Sequence, residues 1–398
     1  MSSTTPFFGY HMPSFSYPGV ADEARFDHLV ELVQAAEAAG FDMVTTMDHF
    51  YQIAPVGPEE EPMLEAYTTL GALAARTSRV KLGAMVSGVT YRNPALLAKA
   101  VTTLDLISGG RAILGLGAAW NESEHRGYGF EFPSIGERLD RLDEALRVCR
   151  LMFTEERPSF EGRFYRIDRA LNRPRPLQPG GPQILVGGSG ERRTLRLVAR
   201  YADMSNWWGT LDELKHYSEV LDRHCEAEGR DPSTIKRTIM SPVVLIAHEQ
   251  ERAAALERIS PERRTQQTPA TPAEAVERLQ PYLEAGFTRL HLPQPHLADD
   301  RCHRSGGRAD RPGQGPARDR VAPQAGDVRD DCRRLGWRGD RGCFQGPSWR
   351  RCHQEWRYDD RSTAGRASGP LPWSFGHQEW QNDRQNGIRG FPALARWS

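Results

Sequence analysis

Cysteine is scarce in this chain: six in 398 residues, with only Cys149 and Cys225 among the first 300. Neither has a close partner in sequence, which excludes a disulfide framework there. No apolar run approaches the ~18 residues of a membrane span, and the N-terminus shows no charged-then-apolar signal pattern. A cytoplasmic protein with no membrane partner is therefore expected. Formal net charge is zero, so the totals point to no nucleic-acid partner either. That zero is a sum of opposites. Residues 301–398 hold 19 Arg, 9 Asp and 2 Glu, a net of +8, which leaves −8 for residues 1–300. Lysine is absent from the last 98 residues, and Ile, Leu, Val and Met together number six there.

The first 300 residues alternate short apolar runs with helical patterns. Phe7-Phe8-Gly9-Tyr10 reads as a strand, followed by Phe26, Leu29, Val30 and Val33 at helical spacing up to Gly40, then the strand Met43–Met47. Further strands are expected at Val80–Val86, Ala112–Leu116, Gln183–Val186, Asp203–Trp207, Thr238–Ile246 and Arg289–Leu292. Helices are expected at Pro94–Ile107, Gly136–Met152, Arg192–Tyr201 and Leu211–Glu228, and another opens on the Thr271-Pro272-Ala273-Glu274 capping box. Pro281 should kink that last helix. Nearly continuous apolar strands alternating with helices imply a parallel sheet covered by helices. Eight of them favour a closed α/β (β/α)8 TIM barrel over residues 1–300.

In such a barrel the active site lies at the C-terminal strand ends, and four ends are unusual here. Strand 2 gives Asp48-His49-Phe50, strand 3 Ser87-Gly88-Val89-Thr90, strand 4 the stretch Gly115–Glu122, and strand 5 Gly187-Gly188-Ser189-Gly190. A glycine-rich turn before a helix exposes backbone N–H groups that suit a phosphate, with Arg192 and Arg193 adding charge; a plain tight turn is the alternative. His49 with Asp48 is an acid–base pair, a cofactor contact or simply a hydrogen-bonded histidine opening a loop. Gly88, Gly115 and Gly117 either admit a flat ring or are turn punctuation, and Trp120 is a ring-stacker or core.

Taken together, Met47-Asp48-His49-Phe50, Arg92–Lys99 leading to Thr103–Arg111, Gly115–Glu122 and Pro182–Arg192 resemble the luciferase-like monooxygenase superfamily, in particular its branch using the deazaflavin F420. The resemblance covers about residues 5–297. It implies an oxidoreductase acting on a small-molecule substrate, with the ring across a bulge of strand 3 near Ser87, Gly88 and Val89. A non-proline cis peptide is expected near Gly88–Val89. Asp48, His49, Gly117 and Asn121 would contact the cofactor, Gly187, Gly188, Ser189 and Gly190 would hold its phosphate, and His49 is the catalytic candidate. FMN is the alternative cofactor and would need a partner reductase. A catalytically inactive ligand-binding barrel is the alternative of another class. No metal site is expected, and the family suggests a homodimer. Its sugar-phosphate dehydrogenases carry an acid directly after the Gly-x-Gly of strand 4, where this chain has Ala118; that argues against a glucose-6-phosphate mechanism.

Residues 301–398 hold too few aliphatic side chains to offset the entropy of ordering them. An RNA-binding Arg/Gly tail and a zinc site on Cys302, His303, Cys332, Cys343, Cys352 and His353 are two readings. A frameshift is preferred. Back-translation permits codons for residues 300–318 that, shifted by one base, encode an amphipathic helix, the eighth the barrel needs.

Overall fold

The computed structural model describes residues 6–293. The tail, its cysteines and the proposed frameshift all lie outside the described residues, as do the last residues of the expected barrel domain.

Eight parallel strands close on themselves: β1 Phe7–Met12, β2 Met43–Thr46, β3 Lys81–Ala84, β4 Ala112–Gly117, β5 Gln183–Gly187, β6 Met204–Trp207, β7 Lys236–Met240 and β8 Arg289–Pro293. Each pairs with its sequence neighbour, and Phe7 opposite Arg289 joins β1 to β8. The expected barrel is present. The helices are α1 Asp22–Ala39, α2 Ala66–Ala74, α3 Pro94–Ser108, α4 Glu122–Tyr128, α5 Ile135–Thr154, α6 Thr194–Tyr201, α7 Leu211–Ala227, α8 Arg252–Arg258 and α9 Pro272–Glu284.

Local chemistry explains the helix boundaries. Asn93 caps α3 by accepting from the Ala95 and Leu96 N–H groups, with Pro94 at its first position. Gly40 and Gly109 end α1 and α3 in the left-handed conformation that glycine adopts without steric cost. The Thr271–Glu274 capping box forms at α9, and that helix continues through Pro281. The expected single strand Thr238–Ile246 is two. β7 stops at Met240, and Pro242, which has no N–H to give a ladder, precedes Val243–Leu245, which leaves the barrel to pair with Thr268–Ala270.

The main core lies between strands and helices. A second, smaller cluster of Met43, Ile113, Leu185 and Met204, with Phe7, Met85 and Val86 against it, plugs the barrel interior. Below that plug, the Lys81 and Lys236 ammonium groups donate to Gln183 Oε1 at 3.1 and 3.2 Å. Above it the barrel is open.

Candidate active site

The opening is a cavity of about 610 Å³ at the C-terminal strand ends, lined among others by His11, His49, Val86, Ser87, Gly117, Trp120, Glu124, Gly187 to Gly190, Trp208 and Arg263. Its shape begins with a break in register. Leu82 lies opposite Ala112, but Ser87 lies opposite Leu116, so five steps along one chain match four along the other. The extra residue is a β-bulge, a device that re-aims side chains at sites. It falls between Ala84 and Ser87, and the cis peptide is Met85–Val86. The expected position at Gly88–Val89 is corrected. Ser87 and Gly88 have already resumed regular pairing with β4, so the irregularity lies before them.

The bulge throws Val86 across the barrel mouth. A Cβ on Gly117 or Gly187 would come within 2.8 and 2.9 Å of a Val86 methyl, and one on Gly115 within 1.9 Å of the Ala84 carbonyl oxygen. These glycines are small to seat the bulge, and a flat ring would meet Val86 rather than bare glycine. Gly88 makes room for Tyr91, whose ring a Cβ would approach to 2.5 Å.

His49 follows β2 and faces the cavity. Its Nδ1 lies 2.9 and 3.1 Å from the two oxygens of Glu124, a carboxylate on α4 that is only 1 % exposed. Glu124 also accepts the Phe50 N–H at 3.1 Å. A carboxylate partner fixes the proton on Nδ1 and leaves Nε2 as the free lone pair. Trp120 stands edge-on to the His49 ring at 5.6 Å. The neighbouring Glu122 instead faces Arg126 at the surface, and His125 is buried between Thr90 Oγ1 and the Asn121 carbonyl, each 2.6 Å away.

Three of the expected cofactor residues do not line the cavity. Asp48 is buried behind His49, where both its oxygens accept from Arg92 at 3.0 and 2.5 Å, and Arg92 also reaches Glu65. Asn121 precedes α4, and its side-chain oxygen accepts from Ser123. Val89 is buried, with its N–H on the Gly117 carbonyl and its carbonyl on Tyr165 Oη.

At the end of β5, Gly188 takes φ +111°, and a Cβ on Gly190 would lie 2.8 Å from Thr194 Oγ1. The helix expected from Arg192 starts at Thr194, because residues 191–193 form a turn closed by the Leu195 N–H on the Gly190 carbonyl. Arg193 is turned away, donating to the Gly136 carbonyl and pairing with Asp140; it adds no charge to the turn.

Sequence reasoning missed His11 and Arg263. His11 accompanies Thr45, with Nδ1 3.0 Å from its Oγ1. Burial, then His291, Arg263 and His49, push its pKa down to about 3. His291 is fully buried, both ring nitrogens lack a partner among the described residues, and burial lowers it to about 4. Its ring fills the space over Gly9, where a Cβ would lie 2.2 Å from Nδ1. His11 was legible as a polar residue at a strand end. Arg263 carries no local signal.

A parallel barrel with an irregular third strand, a ring-sized cavity and a histidine–carboxylate pair at its mouth belongs to the cofactor-binding barrels. The family profile described as luciferase-like monooxygenase matches residues 7–307, and the chain belongs to that family. It is 35 % identical over 251 residues to the F420-dependent glucose-6-phosphate dehydrogenase of Kineococcus radiotolerans, covering 61 % of this chain and 70 % of that protein. It is 32 % identical over 305 residues to the enzyme of the same name from Intrasporangium calvum, covering 67 % and 88 %. A solved F420-dependent secondary alcohol dehydrogenase, in complex with an F420-acetone adduct, superposes with a TM-score of 0.63 at 20 % identity, over 73 % of this chain and 93 % of that one.

Proposed function

We propose that the protein is an F420-dependent oxidoreductase that moves a hydride between the deazaflavin and an organic substrate. The observation that carries this is the His49–Glu124 pair facing the same cavity as the Val86 shelf and the Gly187–Gly190 turn. The relatives with F420 in their names support the cofactor.

The residues present suit the group. Val86 and the bulge offer an apolar shelf to a tricyclic ring, while Ser189 and Gly190 offer backbone N–H groups to its phosphate; the Gly188 N–H is held by the Asn206 carbonyl. F420, when bound, supplies a ring carbon that accepts or returns a hydride. His49 Nε2 takes the hydroxyl proton as the substrate carbon is oxidised and returns it in the reverse direction. Glu124 holds the imidazole in the Nδ1–H tautomer and stabilises the imidazolium. Trp120 packs edge-on against the His49 ring and limits its rotation.

The test is turnover followed through F420 absorbance with the full chain and a panel of alcohols and carbonyl compounds. His49→Gln should lower kcat about 100-fold or more with F420 affinity little changed. Undiminished turnover in that variant would remove His49 from the chemistry.

A further inference from the structure

The cavity contains a guanidinium that has no carboxylate beside it among the described residues. Arg263 lies in the segment between α8 and the strand Thr268–Ala270, and its guanidinium stands 4.7 Å from the centre of the Trp208 ring. Both residues line the cavity. Arg92, by contrast, sits on Asp48 and Glu65, and Arg252 on Glu249 and Glu274. Among the described residues no carboxylate lies within ion-pair distance of Arg263. In keeping with that, burial alone acts on its pKa, lowering it, whereas the carboxylates beside Arg92 outweigh burial and raise that one.

A guanidinium is costly to desolvate unless an anion meets it. The aromatic face of Trp208 holds the group in place without neutralising it. The wall nearby is apolar, with Met240, Val244 and Ile259 buried and lining the same cavity. His11, His49 and Arg263 line the same cavity, so the three groups share one chamber. Arg258 also lines the cavity but is exposed, where a charge needs no partner.

We propose that Arg263 is the anion-recognition residue of the substrate subsite, and that the substrate is an organic acid with an apolar body and a carboxylate. The planar guanidinium fork matches a carboxylate in two parallel hydrogen bonds. The apolar wall takes the body, and the reacting carbon is left toward His49. This rests on the reading of the cavity as an oxidoreductase chamber, and it deepens that reading by naming the substrate class.

The test is a calorimetric titration of the full chain, with and without F420, using hexanoate, hexanamide and hexyl phosphate as probes. Wild type should bind hexanoate about 10-fold or more tightly than hexanamide. Arg263→Gln should abolish that preference, Arg263→Lys should keep part of it, and F420 affinity should stay within about twofold in both. Equal binding of acid and amide by wild type overturns the proposal. Tighter binding of hexyl phosphate, lost in Arg263→Gln, would make this a phosphate site and overturn the carboxylate. Loss of F420 affinity in Arg263→Gln with hexanoate unaffected would assign the guanidinium to the cofactor. Acid preference in a wild type that binds no F420 would sink the cofactor reading and leave this one standing.

Discussion

At the scale of single residues, the chemistry depends on which groups are already committed. Asp48 and His49 are adjacent in sequence but do different work. The aspartate is buried on Arg92, whereas the histidine faces the cavity with its Nδ1 on Glu124. Removing one member of a buried pair costs up to about 3–5 kcal/mol, and Glu65, which stays on Arg92, offsets part of that here. Asp48→Asn should therefore lower the chemical-denaturation midpoint while changing F420 affinity less than threefold or so; a large loss of affinity at unchanged stability would return Asp48 to the cofactor. Glu124→Gln keeps the shape but removes the charge that fixes the tautomer. It should lower kcat by about 10- to 100-fold and move the pH profile of kcat; an unmoved profile would show that Glu124 only packs. The adjacency of Asp48 and His49 was legible in the sequence. Their separate partners were not, because Glu124 and Arg92 lie 75 and 44 residues further along the chain.

At the scale of elements, the decisive feature is the bulge after β3. The sequence announces the barrel strands through apolar runs and the helices through apolar spacing and the Thr271 capping box, since those signals are local. A bulge is a relation between two strands, so its position among residues 84–89 could be placed only to within a few residues. The glycines at 115, 117 and 187 signal a close approach, but not that Val86 is what approaches. Gly187→Ala tests this. Its methyl would meet Val86, and overpacking of this kind costs about 1–3 kcal/mol. The variant should lose both stability and F420 affinity. Normal binding by a destabilised protein would separate the bulge from the cofactor.

At the scale of the whole molecule, two uncharged histidines inside the barrel couple folding to pH. His11 and His291 have folded pKa values of about 3 and about 4, both below the ordinary value of 6.5. Below pH 6.5 the unfolded chain takes up protons that the folded barrel refuses. This contribution is therefore fully present above 6.5 and declines as pH falls toward 4, by up to about 1.4 kcal/mol per pH unit for each histidine. Urea midpoints measured from pH 7 to 4.5 should fall, and a His11→Gln/His291→Gln double variant should show a flatter profile. An unchanged slope in the double variant would place the acid sensitivity elsewhere.

The account's central claim is that this barrel is built for F420. A fluorescence titration of the purified chain with F420, run in parallel with FMN, tests it most directly. Saturable F420 binding, tighter than FMN and unaffected by His49→Gln, is the predicted result. Preference for FMN, or binding of neither, would contradict it.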